Sequence, residues 1–313
     1  MAELISFIDF ASIGFLRAEK DVVGGSTFYG FAKRNDAVIL SPEWLIARET
    51  VSGNQTELVW ASEKFDQIWN DRLDLFDTPP FNNNVSTIFQ TGNQNCNIGN
   101  VSLLNFDGTD PFSISSWFRT ATTAEQAIIS KKGTGNGTGW MVAQNSGRID
   151  FHISGGLAGN RLEVRTPNLS LSNDNWHHVL ITYSGNQLAS GCQIYVDGVV
   201  QILTVSSNTL TLTSANAFNA QIGIRQDTAN DFDGFIDEVA IWDLVLTALE
   251  AVDVYDGGIV RNFTALGPQE SNLIGWWRMG DNDIFPTITD LGTGGNDATM
   301  TNMQASNLVG EVP

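Results

Sequence analysis

Short runs of β-branched and aromatic residues, separated by Gly, Asn and Asp, fill residues 96–245 at nearly even spacing. The runs are VSLLNFDG, PFSISSWFRT, AIISKKG, GWMVAQ, RIDFHIS, LEVRT, WHHVLITYSG, CQIYVDGVVQ, NAQIGI and FDGFIDEVAIW. Runs of this length and composition are typical of strands joined by tight turns. Ten or more such strands must bury their apolar faces against one another. The sequence therefore predicts a mainly β fold, an antiparallel two-sheet sandwich of the jelly-roll type.

Residues 1–90 differ from the rest of the chain in their sequence pattern, with helix-start signals at Ser41-Pro42-Glu43 and at Ser62. After Ser62, apolar residues recur at three- and four-residue spacing, which predicts one stripe of an amphipathic helix. The stripe consists of Phe65, Ile68, Trp69, Leu73 and Phe76. We therefore predict a smaller α+β region at residues 1–90 that anchors or docks the chain through this stripe.

The sandwich is predicted to occupy residues 91–258 and to end in a short helix at 247–256. Thr247 caps that helix, and Glu250 three residues later completes a capping-box pattern. Residues 259–313 are predicted to form a C-terminal β extension, with strands at 273–279 and near 297–302. This extension packs either on the same sandwich or on a neighbouring subunit.

The formal net charge of −19, with only 16 Lys and Arg, argues against a nucleic-acid partner because a phosphate backbone would be repelled. No run approaches the ~18 consecutive apolar residues that a membrane span needs, so membrane insertion is not expected. The first residues, MAELISFIDF, carry acids where a signal peptide carries Lys or Arg, which favours synthesis in a cytoplasm. Cys96 and Cys192 are predicted to be free, buried thiols, because two cysteines are far below the density of a disulfide scaffold.

The search for a catalytic constellation gives no candidate, so we predict that the protein is not an enzyme. Glycoside hydrolases of this shape need three acids at alternate positions of one strand, and no Glu-x-Asp-x-Glu occurs. The nearest pattern, Asp231 and Asp233, stands at a turn and lacks a third acid. His177 and His178 are adjacent, so in a strand they point to opposite sides and cannot chelate one metal together.

The nine tryptophans raise the alternative of sugar stacking. Burial in the core is the stronger prediction for four of them, namely Trp117, Trp140, Trp176 and Trp242. Trp276 and Trp277 are adjacent, so one is expected to face inward. The outward one is the better candidate for a contact surface.

Two adjacent carboxylates, Asp237 and Glu238, lie inside an otherwise apolar strand segment, GFIDEVAIW. Strict alternation predicts two sets of residues on opposite faces: Phe235, Asp237, Val239 and Ile241 on one, and Ile236, Glu238, Ala240 and Trp242 on the other. Both faces are mainly apolar, so the strand is predicted to be central. A buried carboxylate needs a cation, an Arg or several amides.

The ordered segments FDGTDPFSISSWF, AIISKK, NWHHVLITY, CQIYVDG and FDGFIDEVAIWDLVLTALE together resemble the laminin-G-like and pentraxin-like branch of the concanavalin A-like lectin superfamily. The resemblance covers residues 96–256, about half of the chain. It implies a jelly-roll sandwich that serves as a binding or structural module and often holds calcium. The tail segment LIGWWRMGDNDIFPTITDLGTGGNDATM resembles the strand pair that usually opens such domains, although here it follows the sandwich.

For Asp237, the resemblance implies a structural calcium ion whose further oxygens come from Asp107 and Asp110 in the FDGTD turn. Calcium takes six to eight oxygen ligands, many of them backbone carbonyls. The alternative is that Asp237 and Glu238 accept hydrogen bonds from turn amides or pair with Arg119 or Arg148. The hydrogen-bonded alternative is the stronger of the two.

The layout also resembles laminin-G-like proteins of bacteriophage virions. It implies a non-enzymatic virion protein, either a head decoration or a tail or fibre component. Such a protein would be made in the host cytoplasm and displayed on the virion surface, as a homo-oligomer in contact with other capsid or tail proteins. The alternative function is that of a lectin or adhesin module that recognises host surface glycans.

Overall fold

The computed structural model describes four strand segments between residues 15 and 60, and residues 83–135, 137–226, 230–263 and 267–313. The chain divides into two compact units, Met1–Phe81 and Asn82–Pro313. Within the described ranges, no helix is long and apolar enough to cross a membrane.

The first unit contains an antiparallel four-stranded sheet in the order β1-β2-β3-β4. Its strands are β1 Phe15–Val23, β2 Ser26–Lys33, β3 Trp44–Ser52 and β4 Gln55–Trp60. The helix predicted after Ser41-Pro42-Glu43 is wrong, because that segment forms β3. Ala47 pairs with Tyr29 on one side and with Trp60 on the other, so ladder hydrogen bonds on both edges override the local helix-start signal. The predicted helix after Ser62 lies outside the described residues.

The second unit is a sandwich of two antiparallel sheets, as the sequence predicts. Its strands are β5 Ser86–Phe89, β6 Asn95–Gly99, β7 Phe112–Arg119, β8 Gln126–Lys132, β9 Gly139–Asn145, β10 Arg148–Ser154, β11 Arg161–Arg165, β12 Trp176–Tyr183, β13 Cys192–Val196, β14 Val199–Val200, β15 Thr204–Asn208, β16 Ala220–Ile222, β17 Gly234–Trp242, β18 Leu273–Trp277, β19 Thr287–Ile288, β20 Ala298–Thr301 and β21 Leu308–Val309.

One sheet has nine strands in the order β15-β11-β10-β9-β8-β16-β6-β20-β19. The other has the path β14-β13-β12-β7-β17-β5-β21, with β18 paired to β17 off this path. Strand β17 thus pairs with β7, β5 and β18, which confirms its predicted central position. The tail strands belong to these same sheets, because β18 pairs with β17 and β20 pairs with β6.

The hydrophobic core lies between the two sheets and contains side chains from alternate positions of both. Its centre is aromatic: Phe112 stacks on Phe106 with ring centroids 4.2 Å apart and meets Tyr183 edge-on at 5.6 Å. Cys96 and Cys192 are free and buried in this core. Burial raises the pKa of the Cys192 thiol to about 12, which keeps it protonated.

Short helices connect several strands. The described α-helix, α1, spans Ala248–Tyr255, and 3-10 helices span Ser102–Leu104, Ala189–Gly191, Asp256–Gly258, Gly267–Asn272 and Ala305–Asn307. The capping box predicted for α1 is confirmed: Glu250 N donates to Thr247 Oγ1, and Thr247 N donates to Glu250 Oε2. The strand predicted for VSLLNFDG is wrong. Ser102–Leu104 within this segment forms a 3-10 helix instead, and the carbonyl of Leu104 accepts a hydrogen bond from Trp140 Nε1.

Candidate functional site

A charged recess lies on the outer face of the nine-stranded sheet. In β10, Ile149, Phe151 and Ile153 point into the core, so the alternate residues project outward. These outward residues are Arg148, Asp150, His152 and Ser154, and the outward residues of β11 are Arg161, Glu163 and Arg165. We call this recess the basic cleft.

The strand register brings the outward side chains into cross-strand rows. Asp150 stands between Ala143 of β9 and Arg165 of β11. In the next row, His152 stands between Met141 and Glu163. Directly opposed side chains on one face of an antiparallel pair lie within contact distance. The basic cleft is therefore positioned by rigid strands.

The floor of the basic cleft is buried although it faces away from the core. Met141 is 1 % exposed, Asp150 2 % and Glu163 5 %. The guanidinium-bearing side chains around them remain accessible, with Arg148 27 % and Arg161 40 % exposed. The recess has a volume of about 360 Å³. This lies near the lower end of the usual range for small-ligand sites, roughly 300–1,000 Å³.

Ion pairs fix the charged side chains of the basic cleft. Glu163 accepts from Arg161 at 3.1 Å and from Arg165 at 2.5 Å, so one carboxylate holds two guanidinium groups. Asp150 accepts from Arg148 Nε at 2.9 Å and from Asn145 Nδ2 at 3.0 Å. These pairings hold both carboxylates in charge-assisted hydrogen bonds, and such bonds also fix the positions of the arginines.

Two enclosed polar atoms in the basic cleft have no hydrogen-bond partner, Nε2 of His152 and Nε of Arg165. Burial lowers the pKa of His152 to about 4, despite the opposing charge of Glu163, so the imidazole is neutral at pH 7. An enclosed polar atom without a partner is costly unless a ligand or solvent satisfies it. These two atoms indicate where a bound molecule would make hydrogen bonds.

A β-bulge places Asp237 and Glu238 on the outer face of the eight-stranded sheet. Asp237 pairs with Trp117 and Ala240 with Ser115, so two residues of β17 oppose one residue of β7. Glu238 adopts a left-handed backbone, with φ of 48°. The alternation predicted for this strand is therefore wrong beyond Asp237: Val239 and Ile241 face the core together with Ile236.

The bulged acids join a buried hydrogen-bond network. Trp276 Nε1 donates to Glu238 Oε2 at 2.7 Å, and Arg278 Nε donates to Glu238 Oε1 at 3.0 Å. Arg278 also pairs with Asp281 at 2.7 Å. Burial raises the pKa of Glu238 to about 7, although Arg278 opposes this shift. Burial and the charge of Glu238 raise the pKa of Asp237 well above its usual range, although Asn83 Nδ2 donates to its Oδ2 at 2.8 Å.

The structure does not bring Asp107 and Asp110 together with Asp237. Asp110 precedes β7, whereas Asp237 pairs with Trp117 near the other end of that strand. The five steps along the strand from Phe112 to Trp117 span roughly 17 Å at the usual rise. Within the described ranges, no group of three or more His, Cys, Asp or Glu could hold a metal ion.

The turn carboxylates themselves are already occupied by protein donors. Asp107 accepts from Thr213 Oγ1 at 2.8 Å and from Ser214 N at 2.9 Å, and Asp110 accepts from Asp107 N at 2.7 Å. Partial burial acts to raise the pKa of Asp107, but the hydrogen bonds from Ser214, Thr213 and Gly108 together lower it below its usual value. The three acids thus do not fit a shared calcium site.

The cation that pairs with Glu238 is Arg278, and neither of the two predicted arginines does so, whereas Asp237 accepts from Asn83 Nδ2 and from Glu238 N. Arg119 pairs with Asp174 and Glu311, and Arg148 pairs with Asp150. The prediction that one of Trp276 and Trp277 faces inward is confirmed, but the other one is buried too and offers no contact surface. Trp277 lies in the inter-sheet core, and Trp276 on the other face is 1 % exposed beneath Phe263, with ring centroids 5.2 Å apart.

Sequence reasoning missed the basic cleft. A signal was present, because charged or polar residues alternate with apolar ones in both RIDFHIS and RLEVR. Alternation alone predicts only a solvated sheet face. The pairing of β10 with β11 brings the outward residues of both strands together and forms a recess with buried carboxylates.

Residues 90–251 match the family model described as the concanavalin A-like lectin/glucanases superfamily. No curated protein matches.

Solved structures are similar at low identity. One is a Bacteroides ovatus protein with inferred carbohydrate binding, at 15 % identity and a TM-score of 0.49, covering 90 % of this chain and 69 % of that one. A second is the heptameric SAP-like pentraxin of Limulus polyphemus, at 12 % identity and 0.44, covering 71 % and 98 %. A third is the LG4-5 region of the mouse laminin α1 chain, at 13 % identity and 0.37, covering 72 % and 74 %. None of these matches concerns a bacteriophage.

Proposed function

Because this chain belongs to the concanavalin A-like lectin/glucanase superfamily, we propose that it is a non-enzymatic carbohydrate-binding protein whose glycan site is the basic cleft. One observation carries the proposal: a recess of about 360 Å³ on a rigid sheet face is lined by ion-paired, hydrogen-bonding side chains. Sugars present many hydroxyl groups, and fixed charged side chains make strong hydrogen bonds to such groups.

The arrangement of the acids supports binding over hydrolysis. A glycoside hydrolase needs two carboxyl groups that flank the scissile bond and act on it directly. In the basic cleft, Glu163 is held between two guanidinium groups and Asp150 is held by a third. The turn acids are engaged elsewhere, since Asp231 accepts from Asn93 N and Asp233 accepts from Thr122 Oγ1.

A glycan microarray with purified protein tests the proposal. We expect binding to a subset of glycans, and we expect Arg161→Ala to abolish most of it, because this substitution removes an accessible donor of the basic cleft. Arg119→Ala is the matched control, because it removes an ion-paired Arg from the eight-stranded sheet. Equal binding by wild type and Arg161→Ala would place the glycan elsewhere.

Display on a bacteriophage virion, contacts with capsid or tail proteins and homo-oligomerisation stay predictions made from the sequence. They are compatible with glycan binding, because a lectin on a particle surface can act as an adhesin. Co-sedimentation of the chain with virions tests the location. A glycan-binding chain that never sediments with particles would leave the lectin proposal standing and overturn the virion one.

A further inference from the structure

We propose that the basic cleft selects anionic glycans, sugar chains that carry carboxylate or sulfate groups, over neutral ones. This inference rests on the proposed function and names the chemical class of its ligand. It is carried by the local charge, by the kinds of side chain that line the recess, and by the two enclosed polar atoms that lack partners.

The charge of the basic cleft is opposite in sign to that of the whole chain. Five cationic side chains line it: Lys132, Arg148, Arg161, Arg165 and Arg225. Three acids line it as well: Glu125, Asp150 and Glu163. Five minus three gives a local charge of +2, in a chain whose formal net charge is −19. An anion is therefore repelled by the molecule in general and attracted at this place.

The described lining of the basic cleft contains no Trp, Tyr or Phe. An aromatic ring would offer a neutral sugar a broad apolar face, and this recess offers only Met141 on its floor. Affinity must then come from charge-assisted hydrogen bonds, which are roughly twice as strong as neutral ones. Such bonds favour a ligand that carries its own charge.

Glu163 orients the guanidinium groups of Arg161 and Arg165 in the absence of a ligand. Its carboxylate holds Arg161 and Arg165 from opposite sides, so both guanidinium groups are fixed before a ligand arrives. Arg165 Nε is enclosed and has no acceptor, and it is a cationic donor. His152 Nε2 lies in the same recess without a partner. An anionic oxygen in the recess would accept from Arg165 Nε, and from His152 Nε2 in the tautomer that carries its proton there, more strongly than a neutral oxygen would.

Matched ligand pairs test the inference by calorimetry on the full chain. The pairs are oligogalacturonate and its methyl ester, sialyllactose and lactose, and 6′-sulfated lactose and lactose. We expect at least one charged member to bind about tenfold more tightly than its partner, the usual value of one charge-assisted hydrogen bond. The preferred pair identifies carboxylate or sulfate as the source of charge. The preference should shrink as salt rises, because screening weakens exposed charges.

Two variants give effects of opposite sign. Arg165→Gln removes one cation, and we expect about a tenfold loss for the charged ligand with little change for its neutral partner. Glu125→Gln removes one anion of the lining and leaves the pairing of Glu163 with Arg161 and Arg165 intact, so we expect tighter binding of the charged ligand. Arg119→Gln serves as the control on the other sheet. Circular dichroism checks folding, and the salt dependence of the wild type tests the charge effect even where a variant does not fold.

The outcomes separate this inference from the proposed function. Equal binding of charged and neutral partners overturns selection for anions and leaves glycan binding intact. No binding of any ligand overturns both. The inference is also overturned if the preference for the charged ligand persists in Arg165→Gln and at high salt. In that case the charged group would bind outside the basic cleft.

Discussion

The indole Nε1 of Trp276 donates a 2.7 Å hydrogen bond to Oε2 of Glu238, and both residues are buried on the outer face of the eight-stranded sheet. The contact exists because one extra residue in β17 turns Glu238 toward β18. Arg278, two residues after Trp276, then completes the pairing of the carboxylate. A bulge and a tail strand together explain how an apolar strand segment accommodates two adjacent acids.

Glu238→Ala should lower the free energy of unfolding by about 3–5 kcal/mol, the usual cost of removing one partner of a buried ion pair. The substitution removes the carboxylate that accepts from Trp276 Nε1 and from Arg278 Nε, while the pairing of Arg278 with Asp281 stays in place. Urea denaturation measures the change. Glu238→Gln is the control, because its amide oxygen still accepts one hydrogen bond, and its cost should be smaller. An unchanged midpoint for Glu238→Ala would show that the network contributes nothing.

The same carboxylate should make stability depend on pH near neutrality. The pKa of Glu238 is raised from 4.5 to about 7 in the folded protein, so the folded state binds the proton more tightly than the unfolded chain does. Stability therefore falls as pH rises from about 4.5 to about 7 and levels off above that. The comparison is between wild type and Glu238→Gln, whose difference in unfolding free energy should change across this window. A constant difference would contradict the raised pKa.

Two buried histidines should oppose this trend in acid. Burial lowers the pKa of His178 from 6.5 to about 3 and that of His152 to about 4. The unfolded chain takes up these protons first, so stability is lost as pH falls below about 6.5. Thermal melts between pH 6.5 and 4 measure the slope. We expect it to be smaller in His178→Gln and smallest in the variant that also carries His152→Gln. Identical slopes in all three proteins would show that other groups cause the acid loss.

Gly234→Ala should be markedly more destabilising than Gly92→Ala. Both glycines have positive φ, 144° and 116°, but a Cβ at Gly234 would lie 2.1 Å from the carbonyl oxygen of Arg119, whereas Gly92 faces open space. The clash forces β17 away from β7, and we expect an additional loss of about 1–3 kcal/mol. Chemical denaturation of the two variants side by side gives the difference. Equal losses would mean that backbone conformation alone accounts for the effect.

The local sequence pattern was sufficient to predict much of the fold. The alternation of apolar and polar residues in RIDFHIS fixes which side of β10 enters the core, because successive side chains of any strand point to opposite faces. The Thr247–Glu250 capping box likewise depends only on residues three positions apart. These features need no distant partner, and the sequence alone predicts them.

Other features depend on contacts between residues far apart in the chain. The segment Trp44–Ser52 became a strand because two neighbouring strands satisfy its backbone. Glu238 pairs with Arg278, which lies forty residues later in the chain. The β-bulge that makes this contact possible is not predicted by any residue type in GFIDEVAIW.

In the basic cleft, too, some features follow from the sequence alone and others only from the tertiary structure. The sequence by itself determined that Arg148, Asp150 and Glu163 lie on outward strand positions. The pairing of β10 with β11 and β9 decided that they share one recess with a local positive charge. Side-chain direction follows from the geometry of a single strand, whereas the neighbours of a side chain follow from the register between strands, which only the folded chain sets.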